Sequence, residues 1–218
     1  MKEIDGAKFY SPLEEGINVG SHAIGFLLSI VATILLVVYA SRDGNIWHLV
    51  SFSIFGASLL VVFAASTIYH RSKEPALRNR LRIVDHAAIY VLIAGTYTPF
   101  TLVTLHGTVG WIMFAVTWGM ALTGIIIKLF YTGRFKVLST LMYVFMGWII
   151  IFAIKPLMEN LSSEGLNWLV AGGVAYTVGA ILYGIKKIKF NHAIFHIFVL
   201  IGAACHFVSV FFYVLPAA

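Results

Sequence analysis

Seven long apolar runs, joined by short loops that hold most of the charge, constrain this 218-residue chain more than any other feature. They lie at about 17–40, 46–69, 82–104, 109–130, 137–156, 166–185 and 192–215. Each approaches the roughly 20 residues that a helix needs to cross the hydrocarbon core of a bilayer. A backbone in lipid must satisfy its own hydrogen bonds, which leaves helices or closed barrels, and these runs lack the alternation of barrel strands. Composition agrees, with 60% hydrophobic residues and 11% charged, against roughly 25% charged in an ordinary soluble domain. The mean hydropathy is +0.92. The expected fold is an all-α integral membrane protein, a seven-transmembrane helix bundle that forms one membrane domain over residues 1–218. The first 16 residues are too polar for a secretory signal, and the first run exceeds an h-region of about 7–15 residues, so that run is expected to persist as a helix.

A net charge of +6 would suggest nucleic acid in a soluble chain, but here the basic residues sit in loops between apolar runs. They read as topology determinants that meet anionic phospholipid, with no nucleic acid partner. With seven spans, every Lys and Arg except Arg42 and Lys155 falls on the side of the N-terminus. The positive-inside rule therefore predicts a cytoplasmic N-terminus, an external C-terminus and a multi-pass protein of the cell membrane. The single cysteine, Cys205, excludes an internal disulfide and a thiolate metal cluster, and reads as a small buried hydrophobe.

This topology gives depths to the ionisable residues. His22, Ser66 with His70, Asp85 with His86, and His192 with His196 all fall near ends of spans on the cytoplasmic side. Ionisable groups at membrane depth are costly and mark function by default. Ser66 and His70 are four apart, as are His192 and His196, and that spacing shares one face of a helix. Two such faces and a carboxylate from a third helix can form a metal cage. Neutral imidazoles suit zinc, copper, iron or nickel, and three nitrogens with an open fourth position form the catalytic zinc pattern. Against this stand plain structural roles: bundle histidines bonded to carbonyls, Asp85 as a helix-start charge, and Ser66 as a small packing residue.

The residues Glu15-x-x-Asn18-x-x-x-His22, then Ser66-x-x-x-His70 followed by Asp85, then His192-x-x-x-His196 resemble the three signature motifs of the progestin and adipoQ receptor (PAQR) family. Within it they look most like the bacterial haemolysin III branch, and the resemblance covers nearly the whole chain. That family stands with the alkaline ceramidases in the wider CREST group of proposed membrane hydrolases. The resemblance implies that His70, His192 and His196 bind zinc and that Ser66 and Asp85 hold the metal-bound water. Glu15, Asn18 and His22 share a helical face at the mouth of the bundle, suited to orienting a ligand or closing the site, and equally to capping and packing.

The remaining candidates have simpler readings. His86 points about 100° away from Asp85 and is the poorer ligand. His206 lies about 15 Å deeper than His196 and reads as a satisfied bundle histidine. His48 and His106 are expected to be solvated at the outer interface. The basic stretch Arg71–Arg82 is read as orientation and headgroup contact. Gly95, Gly119, Gly124, Gly172, Gly173 and Gly179 are read as points of close helix approach, and Pro99 as a bend that opens space in the outer half of the third span.

The expected function is hydrolysis of a membrane lipid amide or ester by a zinc-activated water, with the lipid as substrate or ligand. Two other readings stand beside it. One is an oligomeric pore, a homo-oligomer in keeping with the haemolysin name of the branch. The other is a lipid sensor whose zinc is structural.

Overall fold

A computed structural model of the chain describes residues 2–4, 7–131 and 136–215. Among these, seven helices are long and apolar enough to cross a membrane. A short hairpin pairs β1 (Lys2–Ile4) antiparallel with β2 (Ala7–Phe9). The helices follow as α1 (Pro12–Asp43), α2 (Ile46–Arg71), α3 (Pro75–Pro99), α4 (Gly107–Tyr131), α5 (Lys136–Trp148), α6 (Ile154–Asn160), α7 (Ser163–Gly184) and α8 (Asn191–Tyr213). A 3-10 turn, Ile149–Ala153, joins α5 to α6, and the three together make the fifth span.

Polar residues at the helix ends explain why the helices outrun the apolar segments. Ser11 accepts from the Glu14 amide at 3.3 Å, Pro12 needs no amide partner, and Glu14 and Glu15 favour the positive end of the helix dipole. Helix α1 therefore begins five residues before its apolar run, which brings Glu15 into its first turns. Glu74 caps α3 ahead of Pro75 in the same way, so Arg78 and Arg82 stand on a helix and not in a loop.

The position of α3 accounts for its polarity. Its hydropathy of 1.4 equals the lowest of the seven, and 72% of its most apolar window is buried inside the bundle. A central helix meets protein, so Tyr90, Thr96, Tyr97 and Thr98 are tolerated there, with Thr96 and Thr98 bonding back to the Leu92 and Ala94 carbonyls at 2.8 Å. By contrast Leu27, Leu28, Val31, Ile34 and Val38 of α1 lie open, the lipid-facing side expected of a peripheral span.

Regular helix in the third span stops at Pro99 and continues as a π turn over Phe100–Thr104. A ring without an amide proton breaks the local ladder, and the wider turn recovers a bond from the Leu105 amide to the Phe100 carbonyl at 2.8 Å. Beside it opens a cavity of about 140 Å³ lined by Trp47, Thr101, Leu102, His106, Gly107 and Trp111. His48 departs from expectation: it is buried and its Nδ1 accepts from the Asn45 amide at 3.2 Å, closing a capping box at the start of α2.

Of the glycines read as contact points, Gly172 meets the criterion and Gly119 does not. A Cβ at Gly172 would overlap the His206 ring, whereas one at Gly119 would meet nothing within 4 Å. Gly172→Ala should therefore lower stability by about 1–3 kcal/mol, the usual cost of overpacking a close contact. Thermal unfolding in detergent checks this, with Gly119→Ala as the control expected to match the parent protein.

Candidate metal centre

The first and last spans run in the same direction, so the start of α8 lies at the same end of the bundle as the start of α1. The α7–α8 link sets that start. Phe190 takes the left-handed conformation at φ 57°, and the Asn191 side chain donates from Nδ2 to the Tyr183 carbonyl at 2.7 Å. His192 and His196 then project one turn apart toward the last turn of α2, which carries His70.

The three imidazoles meet. His192 Nε2 lies 3.1 Å from His70 Nε2 and 3.1 Å from His196 Nε2. One nitrogen from each of these three buried residues falls within 4.8 Å of the others. His70 Nδ1 is 2.8 Å from Glu15 Oε2 and 3.4 Å from the Asn18 amide nitrogen. A neutral His70 donates its Nδ1 proton to the carboxylate and so presents a lone pair at Nε2. His192 Nε2 can supply one proton to that lone pair, and then has nothing to accept from His196. Hydrogen bonds alone thus leave one of the three nitrogens unmatched. A cation at their centre satisfies all three, and tetrahedral zinc with bonds of about 2.0–2.1 Å would hold such nitrogens about 3.3–3.4 Å apart. The donor set fits zinc, and Glu15 supplies the carboxylate that often orients a metal-binding histidine.

Asp85 and Ser66 arrive from α3 and α2. Both are buried, the Ser66 hydroxyl lies within reach of the Asp85 carboxyl, and Asp85 is close enough to His70 to interact with it electrostatically. His22 is buried and stacks on His196 with ring centroids 3.8 Å apart. The structure thus brings together every residue singled out in the sequence motifs. His86 stands apart, one position round α3, where its carbonyl accepts from the Tyr143 hydroxyl at 3.0 Å. His206 lies ten residues further along α8 with its Nε2 3.2 Å from the Leu169 carbonyl oxygen; the expectation of a satisfied bundle histidine holds for that nitrogen alone, because Nδ1 is buried without a partner among the described residues.

Two residues of the site escape a reading of the sequence. Arg78 belongs to the stretch expected to face headgroups, yet it is 1% exposed. Its guanidinium donates to the carbonyls of Tyr69 (3.2 Å), His70 (3.1 Å), Ser72 (2.9 Å) and Lys8 (2.6 Å), and pairs with Glu15. It supplies the protons that the last carbonyls of α2 lack, and nothing in the basic run separates it from its neighbours. Tyr10, just after the hairpin, stacks on His192 at 4.5 Å with the rings 10° from parallel. Burial pushes its phenol above the ordinary tyrosine range, with nearby Tyr183 and Tyr69 adding to the effect. An aromatic ahead of a helix cap carries no sequence signal for such a role.

A family model described as haemolysin-III related matches residues 10–207, a stretch that contains all of these residues. The chain belongs to that family. It is 49% identical over 205 residues to Hemolysin-3 of Bacillus cereus, covering 94% of each chain. It is 48% identical over 200 residues to the Hemolysin-3 homolog of Bacillus subtilis, covering 92% of this chain and 94% of that one. At greater distance it is 28% identical over 206 residues to the human monocyte to macrophage differentiation factor, covering 92% of this chain and 84% of the relative. The family is of the wider PAQR type, and the chain is a multi-pass membrane protein.

Proposed function

We propose that this protein is a zinc-dependent hydrolase of a membrane lipid amide or ester, with its site near the cytoplasmic leaflet. The observation that carries the reading is the meeting of three histidine Nε2 atoms beside a buried carboxyl and hydroxyl at one end of a membrane bundle. His70, His192 and His196 hold the ion. A zinc ion bound there supplies Lewis acidity toward a carbonyl oxygen and a water. Asp85 orients the attacking water and takes its proton. Water oxygen bonds to the acyl carbon, the carbon–nitrogen or carbon–oxygen bond breaks, and the proton held by Asp85 passes to the leaving amine or alcohol. Ser66 donates to the oxygen on which charge develops. The depth of the site favours a substrate already in the bilayer.

Orientation is part of this proposal and rests on the distribution of Lys and Arg. In a Cys205→Ala background, Lys73→Cys and Lys187→Cys should be shielded from impermeant maleimide in intact cells, while Ser163→Cys should react. The opposite pattern would move the site to the outer leaflet.

The names of the bacillary relatives support a second reading, membrane permeabilisation by an oligomer. Purified protein that releases dye from sealed vesicles, with release unaffected by loss of the three histidines, would favour it over the hydrolase.

A further inference from the structure

Each imidazole of the cluster is held by a residue from one short stretch of chain. Tyr10 stacks on His192, Glu15 and Asn18 meet His70 Nδ1, and His22 stacks on His196. None of these four residues belongs to the three-histidine group. Tyr10 differs from the others because it precedes α1. Since α1 and α8 begin at the same end of the bundle, and His192 is the second residue of α8, the Tyr10 ring covers His192 from beyond the helix ends, on the aqueous side. The Tyr183 ring lies against another part of His192, with centroids 5.2 Å apart, and the Tyr10 and Tyr183 side chains meet.

The segment before Tyr10 is strapped down by the groups that hold the cluster. The Tyr10 amide donates to Glu15 Oε1 at 3.0 Å, and Arg78 donates from Nε to the Lys8 carbonyl at 2.6 Å. The Arg78 guanidinium also lies over the Phe9 ring at 4.5 Å, and Ala7 is fully buried. Glu15 therefore ties the strap to His70 through one carboxylate.

We infer that Tyr10 is a positioning residue and the aqueous-side closure of the histidine cluster: its ring fixes His192 and keeps bulk water and external chelators out until the strap of residues 7–10 lifts. This rests on the metal reading given above, and it assigns the strap to exchange with the aqueous phase. Glu15 and Arg78 set how often the strap opens, because both hold its backbone.

The test has two arms. In the first, zinc-loaded full-length protein in detergent is mixed with a water-soluble chelator, and zinc release is followed with a metal-sensitive dye. Tyr10→Ala should start with the same zinc content as the parent and release it about tenfold faster, the equivalent of one lost aromatic pair in a local opening equilibrium. Tyr10→Phe, which keeps the ring, should match the parent. The second arm does not depend on metal. In a Cys205→Ala background, His192→Cys is reacted with a water-soluble maleimide, with and without Tyr10→Ala, and removal of the ring should again raise the rate about tenfold. An unchanged maleimide rate overturns the closure whatever the metal content. Parent protein without zinc but with the accelerated maleimide reaction defeats the metal reading while the closure stands.

Discussion

Purified parent protein is expected to carry one zinc ion per chain, and His70→Ala, His192→Ala and His196→Ala are each expected to lose nearly all of it. Each substitution removes one of the three histidine nitrogens that meet at the site, and two remaining imidazoles make a poor tetrahedral set. Glu15→Gln should act less severely, lowering affinity about 10–100-fold as is usual when the orienting partner of a ligand is weakened. Asp85→Ala should keep most of the zinc, since in the proposed mechanism Asp85 acts on water rather than on the ion. Elemental analysis of protein purified without chelator decides the matter. Absence of any transition metal would sink the metal reading, and complete loss in Asp85→Ala would make Asp85 a direct ligand.

Reconstituted protein is expected to release fatty acid from an amide or ester lipid, and Asp85→Asn should cut the rate by about 10²–10⁴-fold, the usual contribution of a positioned general base. The amide of asparagine keeps the size of the carboxyl but cannot take the proton of the attacking water. Ser66→Ala should reduce turnover by a smaller factor, because it removes one donor to the developing charge and leaves the base in place. Both variants keep the three histidines, so zinc content should match the parent and separates a chemical defect from a lost site. A lipid panel analysed by mass spectrometry supplies the readout. Equal release by parent and Asp85→Asn would trace the activity to a contaminant. Absence of release from every lipid would favour a sensor whose zinc is structural.

Much of the site was legible because helical geometry converts spacing into position. His192 and His196, four apart near the start of a span, had to share a face, and Ser66 and His70 had to share another at the end of the second span. The parity of the spans then placed both pairs at one end of the bundle. The helix ends were less legible, because hydropathy reports where lipid lies and caps report where helices begin. Glu14 and Glu15 look like the end of a membrane segment, yet they stand in the first turns of α1, where the dipole favours them.

Arg78 shows the other limit. Among Arg71, Lys73, Arg80 and Arg82 it is one more loop cation by composition. Only the meeting of the α2 terminus, the hairpin and Glu15 makes it a buried donor to four carbonyls. His48 is similar: its depth suggested a solvated interface residue, and its capping bond with Asn45 became visible only from the turn between α1 and α2.

The sequence by itself determined that the chain spans a bilayer as seven helices and which ionisable residues gather at one end, because membrane insertion and helical periodicity are local physics read along the chain. The tertiary structure alone decided that one nitrogen from each of three imidazoles falls within 4.8 Å of the others, that Glu15 meets one of the rings and that Tyr10 stacks on another. These depend on how α1, α2, α8 and the hairpin are rotated and docked against one another, and contacts such as that between Glu15 and His70, 55 residues apart, leave no periodic trace along the chain.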